Sequence, residues 1–120
     1  MCIRDRVFTS DHGENLFDDE RQLFMHAQSG PTRYDTHVPL LVWMNEPYRR
    51  AHPAVLAALQ ANLTRPVSHA SVFTSVLELG AVAWNGSEAH RSFASSAYAP
   101  GQRAVALDLS GNTVPYESLK

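Results

Sequence analysis

The run Val38-Pro39-Leu40-Leu41-Val42-Trp43-Met44 constrains this chain more than any other stretch. It carries no charge, yet it is far shorter than the roughly 20 residues a membrane-spanning helix needs. It suits a strand buried on both faces, as in a parallel or mixed central sheet. Pro39 lacks an amide proton and belongs at the first residues of such a strand. Asn45-Glu46-Pro47 forms the expected turn, and a helix follows with Val55, Leu56, Leu59 and Leu63 at helical spacing and Pro53 in its first turn. Arg65-Pro66 breaks it. Ser68 is a suitable N-cap for a second amphipathic helix, with Val72, Phe73, Val76, Leu77 and Leu79 on the apolar face and Gly80 at its end. The expected class is α/β.

Upstream, Val7-Phe8-Thr9-Ser10 reads as a short buried strand stopped by Asp11-His12-Gly13. Leu16 to Gly30 reads as a loop with one helical turn, closed by Pro31. Asn85 to Gly101, rich in Ser, Ala and Gly, is expected to be irregular. Ala104 to Leu109 alternates, Ser110-Gly111-Asn112 turns, and Thr113 to Tyr116 returns, which predicts a terminal hairpin.

Composition narrows the function classes. Hydrophobic residues make up 44% and charged residues 18%, ordinary for a folded chain and unlike a disordered one. A net charge of −2 gives no electrostatic case for nucleic acid. The single cysteine, Cys2, excludes an internal disulfide and a cysteine-based zinc site. There is no signal-peptide pattern, P-loop, dinucleotide fingerprint or nucleophile elbow. Metal sites in α/β sheets gather ligands from several strand ends. Almost nothing precedes the first ligand pair here, so the expectation is that a preceding part of the protein is missing. Residues 1–6 are read as a foreign leader without a structural role, and 7–120 as the domain portion.

Ser10-Asp11-His12-Gly13-Glu14 is the strongest chemical signal. Asp offers an oxygen and neutral His a nitrogen, a pairing that suits zinc. Neighbouring side chains on a strand point to opposite faces, so both reach one ion only where the strand ends. Gly13 would supply backbone freedom for that turn. The alternative is a surface turn that merely contains these residues. His26 is either a hydrogen-bonded structural group or a second ligand or phosphate contact. His37 is assigned to packing, His52, His69 and His90 to surface or capping roles, and Asp18-Asp19-Glu20 to a solvated loop. Asn62-Leu63-Thr64 and Asn85-Gly86-Ser87 match glycosylation sequons, a pattern frequent by chance.

Taken together, these motifs carry a resemblance. Phe8-Thr9-Ser10-Asp11-His12-Gly13-Glu14-Asn15-Leu16 resembles the late metal-binding strand of sulfatases and phosphoethanolamine transferases. His26 resembles the histidine that follows it in the transferases. Pro31 to Trp43 is similar to the segment leading into their next strand, and Pro66 to Leu79 to the helix beyond. The likeness covers about residues 7 to 82.

The resemblance implies the C-terminal portion of a three-layer α/β/α sandwich of the alkaline-phosphatase-like type, with a small terminal β-hairpin. It implies Zn2+, with Asp11 and His12 as metal ligands and His26 as a catalytic, phosphate-contacting histidine. It further implies a phosphatidylethanolamine donor, a covalent threonine intermediate, and a lipid A, lipopolysaccharide-core or glucan acceptor. The parent would be an inner-membrane protein with a periplasmic catalytic domain, held by an N-terminal anchor. The nucleophile and an earlier acidic ligand would lie upstream, so Thr9 is not that nucleophile and this chain alone is expected to be inactive. The runner-up is a sulfatase-like hydrolase. Sulfatases usually carry a lysine shortly before the segment's Tyr-Asp step, but the only lysine here is Lys120, leaving Arg33 as the substitute. A third reading is an inert remnant or packing domain.

Overall fold

The computed structural model describes residues 5–26, 30–86, 88–106 and 112–120. The chain forms two compact units, one of residues 7–42 and 102–120, the other of residues 1–6 and 43–101.

The first unit carries the candidate site. Strands β1 (Arg6–Thr9) and β4 (Leu40–Trp43) are hydrogen-bonded neighbours. Burial alternates along both, and Phe8, Leu41 and Trp43 are exposed. The expected burial on two faces is therefore not met among the described residues; one face of the pair is open. Residues 1–6 were expected to be idle, yet β1 begins at Arg6 and the Asp5 carboxylate accepts the Asn45 N–H at 2.9 Å.

Between β1 and β4 the predicted helical turn is replaced by a miniature antiparallel ladder. Strands β2 (Asn15–Leu16) and β3 (Phe24–Met25) pair with Asn15 opposite Met25 and Leu16 opposite Phe24. Positive φ at Phe17 (63°) and Gln22 (49°) turns the connection, and Phe17 stacks on Phe24 with centroids 5.0 Å apart. The acids here close turns: Asp18 accepts the Leu16 N–H at 2.7 Å and Asp19 grips Arg21. A short helix α1 (Arg33–Thr36) follows, started by a capping box in which Thr32 and Asp35 satisfy each other's backbone N–H groups. The chain end closes on this helix: Arg33 donates from its backbone to Lys120 O and from Nε to Leu119 O at 2.9 Å. Strands β5 (Ala104–Ala106) and β6 (Thr113–Pro115) pair antiparallel, as the hairpin reading predicts. Its Leu107, Leu109 and Ser110-Gly111 lie outside the described residues.

The second unit is mainly helical. The Asn45 side chain accepts the Tyr48 N–H at 2.8 Å, so Asn45-Glu46-Pro47 is a helix start rather than a plain turn. Helix α2 (Glu46–Ala51) breaks at His52 before α3 (Pro53–Asn62). In α3 the buried residues are Ala58 and Asn62, while Leu63 is exposed. Helix α4 (Val72–Leu79) likewise turns Thr74 and Ser75 inward and leaves Phe73 and Val76 exposed. The predicted apolar faces are corrected by what packs against them. The irregular stretch expected at 85–101 supplies the core, with Phe93, Ala94 and Tyr98 almost fully buried. Irregular backbone needs hydrogen-bond partners, and polar side chains supply several of them here. Ser75 donates to Ser71 O and accepts the Phe93 N–H at 2.9 Å; Asn62 donates to Phe93 O and Ser95 O; Tyr98 Oη donates to Pro66 O. Buried Asn62 is thereby removed as a glycosylation acceptor. Helix α4 ends at Gly80 as expected, but the left-handed residue is the next one, Ala81 (φ 53°). Among the described residues no helix is long and apolar enough to cross a membrane.

Candidate metal centre

Strand β1 ends at Thr9, and the five residues after it form the turn that the sequence singles out. Ser10 Oγ donates to His12 O at 2.6 Å, and Asp11 Oδ1 accepts the His12 N–H at 3.1 Å. These bonds fold the turn on itself, so that Asp11 Oδ2 comes within 3.8 Å of His12 Nε2. His12 Nδ1 lies 2.9 Å from Gly13 O, which only accepts. Nδ1 therefore carries the proton, and Nε2 presents its lone pair towards the Asp11 carboxylate. The two side chains converge, as the metal reading requires, and Asp11 is open to solvent with its side chain 87% exposed.

His26 joins the same cluster. Its Nδ1 donates to Glu14 Oε1 at 2.7 Å, which leaves its own Nε2 as an acceptor. The His12 and His26 rings lie 3.9 Å apart at centroids, tilted by 41°. Ligand atoms of His12, Glu14 and His26 all lie within 4.8 Å of one another. Glu14 was not assigned a role from sequence. The available signal was its spacing: residues 12 and 14 share one side of an extended segment. Its Oε2 is buried and is the one such side-chain atom without a hydrogen-bond partner among the described residues. His12, Glu14 and His26 offer nitrogen and carboxylate-oxygen donors of the kind zinc takes, and Asp11 stands beside His12 outside this group of three.

The electrostatics follow from these bonds. Acceptance of the His12 N–H is the main reason the Asp11 carboxyl titrates below its usual range, with His12 nearby adding to it. The His12 imidazole is pushed up chiefly by its bond to Gly13 O; desolvation, the next influence, opposes this, and the Asp11, Glu14 and Asp35 carboxylates add to the rise.

Gly13 is needed for room rather than for an unusual torsion. A Cβ there would stand 2.2 Å from Tyr34 O, and the Gly13 N–H donates to Asp35 O at 2.9 Å. Beneath the turn lies a buried polar knot. Thr32 Oγ1 donates to Asn15 Oδ1 at 2.8 Å, Asn15 Nδ2 donates to Met25 O at 2.8 Å, and Asp35 Oδ1 accepts the Thr32 N–H at 2.6 Å. Sequence reasoning missed these three residues; the Thr32-x-x-Asp35 spacing was the visible sign.

Among the described residues no other histidine joins this group of ligand atoms. His37 packs edge-on to Tyr116, His52 stacks on Tyr48, and His90 faces Glu88. Arg33, the sulfatase-type substitute for a lysine, is held by Leu119 O and lies 5.8 Å from the Tyr116 ring centre.

The family model described as Sulfatase matches residues 7–82. Phosphoethanolamine transferase EptA of Salmonella typhimurium (strain LT2) is 33% identical over 79 residues, covering 63% of this chain and 14% of that protein. The C-terminal periplasmic domain of EcEptC from Escherichia coli superposes with a TM-score of 0.84 at 22% identity, over 96% of this chain and 32% of that one. The same domain in complex with Zn gives 0.83. The chain thus spans well under two thirds of the length of these relatives. The match across most of the chain, with the Asp-His turn inside it, places this protein in the sulfatase family, with phosphoethanolamine transferases among its relatives.

Proposed function

We propose that this chain carries the late metal-binding part of a zinc-dependent phosphoethanolamine transferase. The observation that carries the reading is the approach of Asp11 Oδ2 to His12 Nε2, 3.8 Å apart, with the opposite ring nitrogen tied to Gly13 O. Support comes from the transferase relative and from a solved relative that binds Zn. Zinc bound here would act as a Lewis acid towards a nucleophile and the phosphoryl oxygens.

The chain's own residues hold the rest in place. Asp11 stays ionised, and His12 in its neutral form presents a lone pair at Nε2. His26, its Nδ1 fixed by Glu14, offers Nε2 to a phosphoryl oxygen or to the leaving group. The threonine nucleophile and the remaining acidic ligand come from a part of the protein outside these 120 residues. So does the membrane anchor, which would place the domain in the periplasm beside a phosphatidylethanolamine donor and a lipopolysaccharide or glycan acceptor. In the complete three-layer sandwich, the open face with Phe8, Leu41 and Trp43 would be covered by further elements of that domain.

Zinc titration of the chain by competition with a chromophoric chelator tests this. Binding should fall at least about tenfold in both Asp11→Ala and His12→Ala. Equal binding by all three chains would favour the inert packing domain. The chain alone should release no phosphoethanolamine, and measurable turnover would contradict that. The sulfatase alternative is weakened because Arg33 is engaged by the chain terminus.

A further inference from the structure

We propose that Asn15 is the positioning residue of the metal centre, its buried carboxamide setting the distance between the His12 and His26 imidazoles. His12 and His26 sit on two different arms of the fold, one leading into β2 and the other leaving β3. The β2–β3 ladder and the Phe17–Phe24 stack bring these arms together, and Asn15 sits at the end of the ladder nearest the two imidazoles. Asn15 is the residue at which they meet: it lies opposite Met25 in the β2–β3 ladder and is only 4% exposed.

Its three polar contacts point to two segments, Met25 in β3 and the Thr32–Asp35 capping box of α1. Nδ2 donates to Met25 O at 2.8 Å, on the residue immediately before His26. The same nitrogen faces Asp35 Oδ2 at 3.5 Å, and Asp35 O receives the N–H of Gly13, the residue immediately after His12. Oδ1 accepts from Thr32 Oγ1 at 2.8 Å, which fixes the orientation of the carboxamide. An apolar side chain of the same size could fill this space but could hold none of the three.

Met25 shows why a hold is needed. It has φ 64°, a left-handed conformation that costs a non-glycine residue energy and persists only where the surroundings impose it. That bend turns the chain so that His26 faces His12. The bond from Asn15 is made to the carbonyl of this strained residue, so it acts on the backbone that aims the second imidazole. Asn15 touches neither imidazole itself.

The metal arm of the test rests on the proposed zinc reading; the geometric arm does not. In the metal-free chain, NMR cross-relaxation between the His12 and His26 rings reports their contact, and chelator competition reports zinc affinity. Asn15→Ala should lose the ring contact and bind zinc tenfold to a hundredfold more weakly. The control is Asn62→Ala, which removes a carboxamide that is also buried and also bonded to two carbonyls, but in the helical unit. It should lower the unfolding midpoint while keeping the ring contact and the zinc affinity. If Asn15→Ala does not fold, Thr32→Val and Thr32→Ser carry the test. Valine should lose contact and affinity, and serine, which restores the hydroxyl, should recover both. The inference is overturned if Asn15→Ala keeps the ring contact, if Asn62→Ala loses zinc equally, or if Thr32→Val matches Thr32→Ser. A wild-type chain that binds no zinc but loses its ring contact in Asn15→Ala defeats the zinc reading and leaves the positioning role standing.

Discussion

The two units of this protein solve one problem in two ways. Each must hold irregular backbone in a buried setting, and each uses an asparagine: Asn62 in the helical unit, Asn15 beneath the metal turn. In the helical unit no described side-chain polar atom is buried without a partner. In the site-bearing unit Glu14 Oε2 has none, and His12, Glu14 and His26 keep side chains 40%, 38% and 42% exposed. The difference separates scaffold from site. A scaffold saturates its hydrogen bonds, whereas a binding centre keeps donor atoms in reserve for a ligand.

Four changes break or sharpen that contrast. The largest effect is expected for Gly13→Ala, because its Cβ meets backbone that cannot yield easily. Overpacking of this kind costs about 3 kcal/mol, and zinc binding should be lost with it; an unchanged urea midpoint would refute the steric account. Asn62→Ala should cost about 2 kcal/mol by leaving two carbonyls unsatisfied, with zinc affinity intact. Loss of zinc binding there would erase the division between the units.

The third change is pH. The bond to Gly13 O and the neighbouring carboxylates raise the His12 pKa above the usual 6.5, and metal binding requires the proton to leave. Zinc affinity should therefore climb, by up to about tenfold per pH unit, through a range above the ordinary histidine titration. The metal-free chain should respond oppositely. Stability from protonated His12 is fully present below the unfolded-state pKa and fades as pH rises through the folded one. Affinity that is flat from pH 6 to 8 would remove His12 from the ligand set. The smallest effect belongs to Gly101→Ala in the helical unit, where an added Cβ meets nothing. It should change stability by no more than about 0.5 kcal/mol, and a larger loss would show that space alone does not explain the glycines.

What could be read from the sequence depended on range. The turn at Asp11-His12 was legible because a short apolar strand, an Asp-His pair and a glycine sit together in the chain. The terminal hairpin was legible from alternation, but the start of α4 was misplaced: Ser68 precedes a short 3-10 turn (His69–Ser71) without a side-chain cap bond, and α4 begins at Val72. The inward faces of α3 and α4 were not, because the groups that choose Asn62 and Ser75 over leucines are backbone atoms some twenty to thirty residues away. Glu14 and Asn15 were hidden for the same reason: their partners His26 and Met25 become neighbours only once β2 and β3 pair, whereas Thr32 and Asp35 carried a local capping spacing. Gly13 was correctly singled out for the wrong property, torsion instead of volume.

The pairing of β1 with β4 has a practical consequence for anyone handling this chain. A ladder of two strands has as many unpaired edges as strands, and here it also shows aromatic and aliphatic groups to water. Such a ribbon is a template for sticking to its own kind. At high concentration the purified chain should form oligomers through it, and Phe8→Lys or Leu41→Lys should keep the preparation dispersed without touching the Asp11-His12 turn.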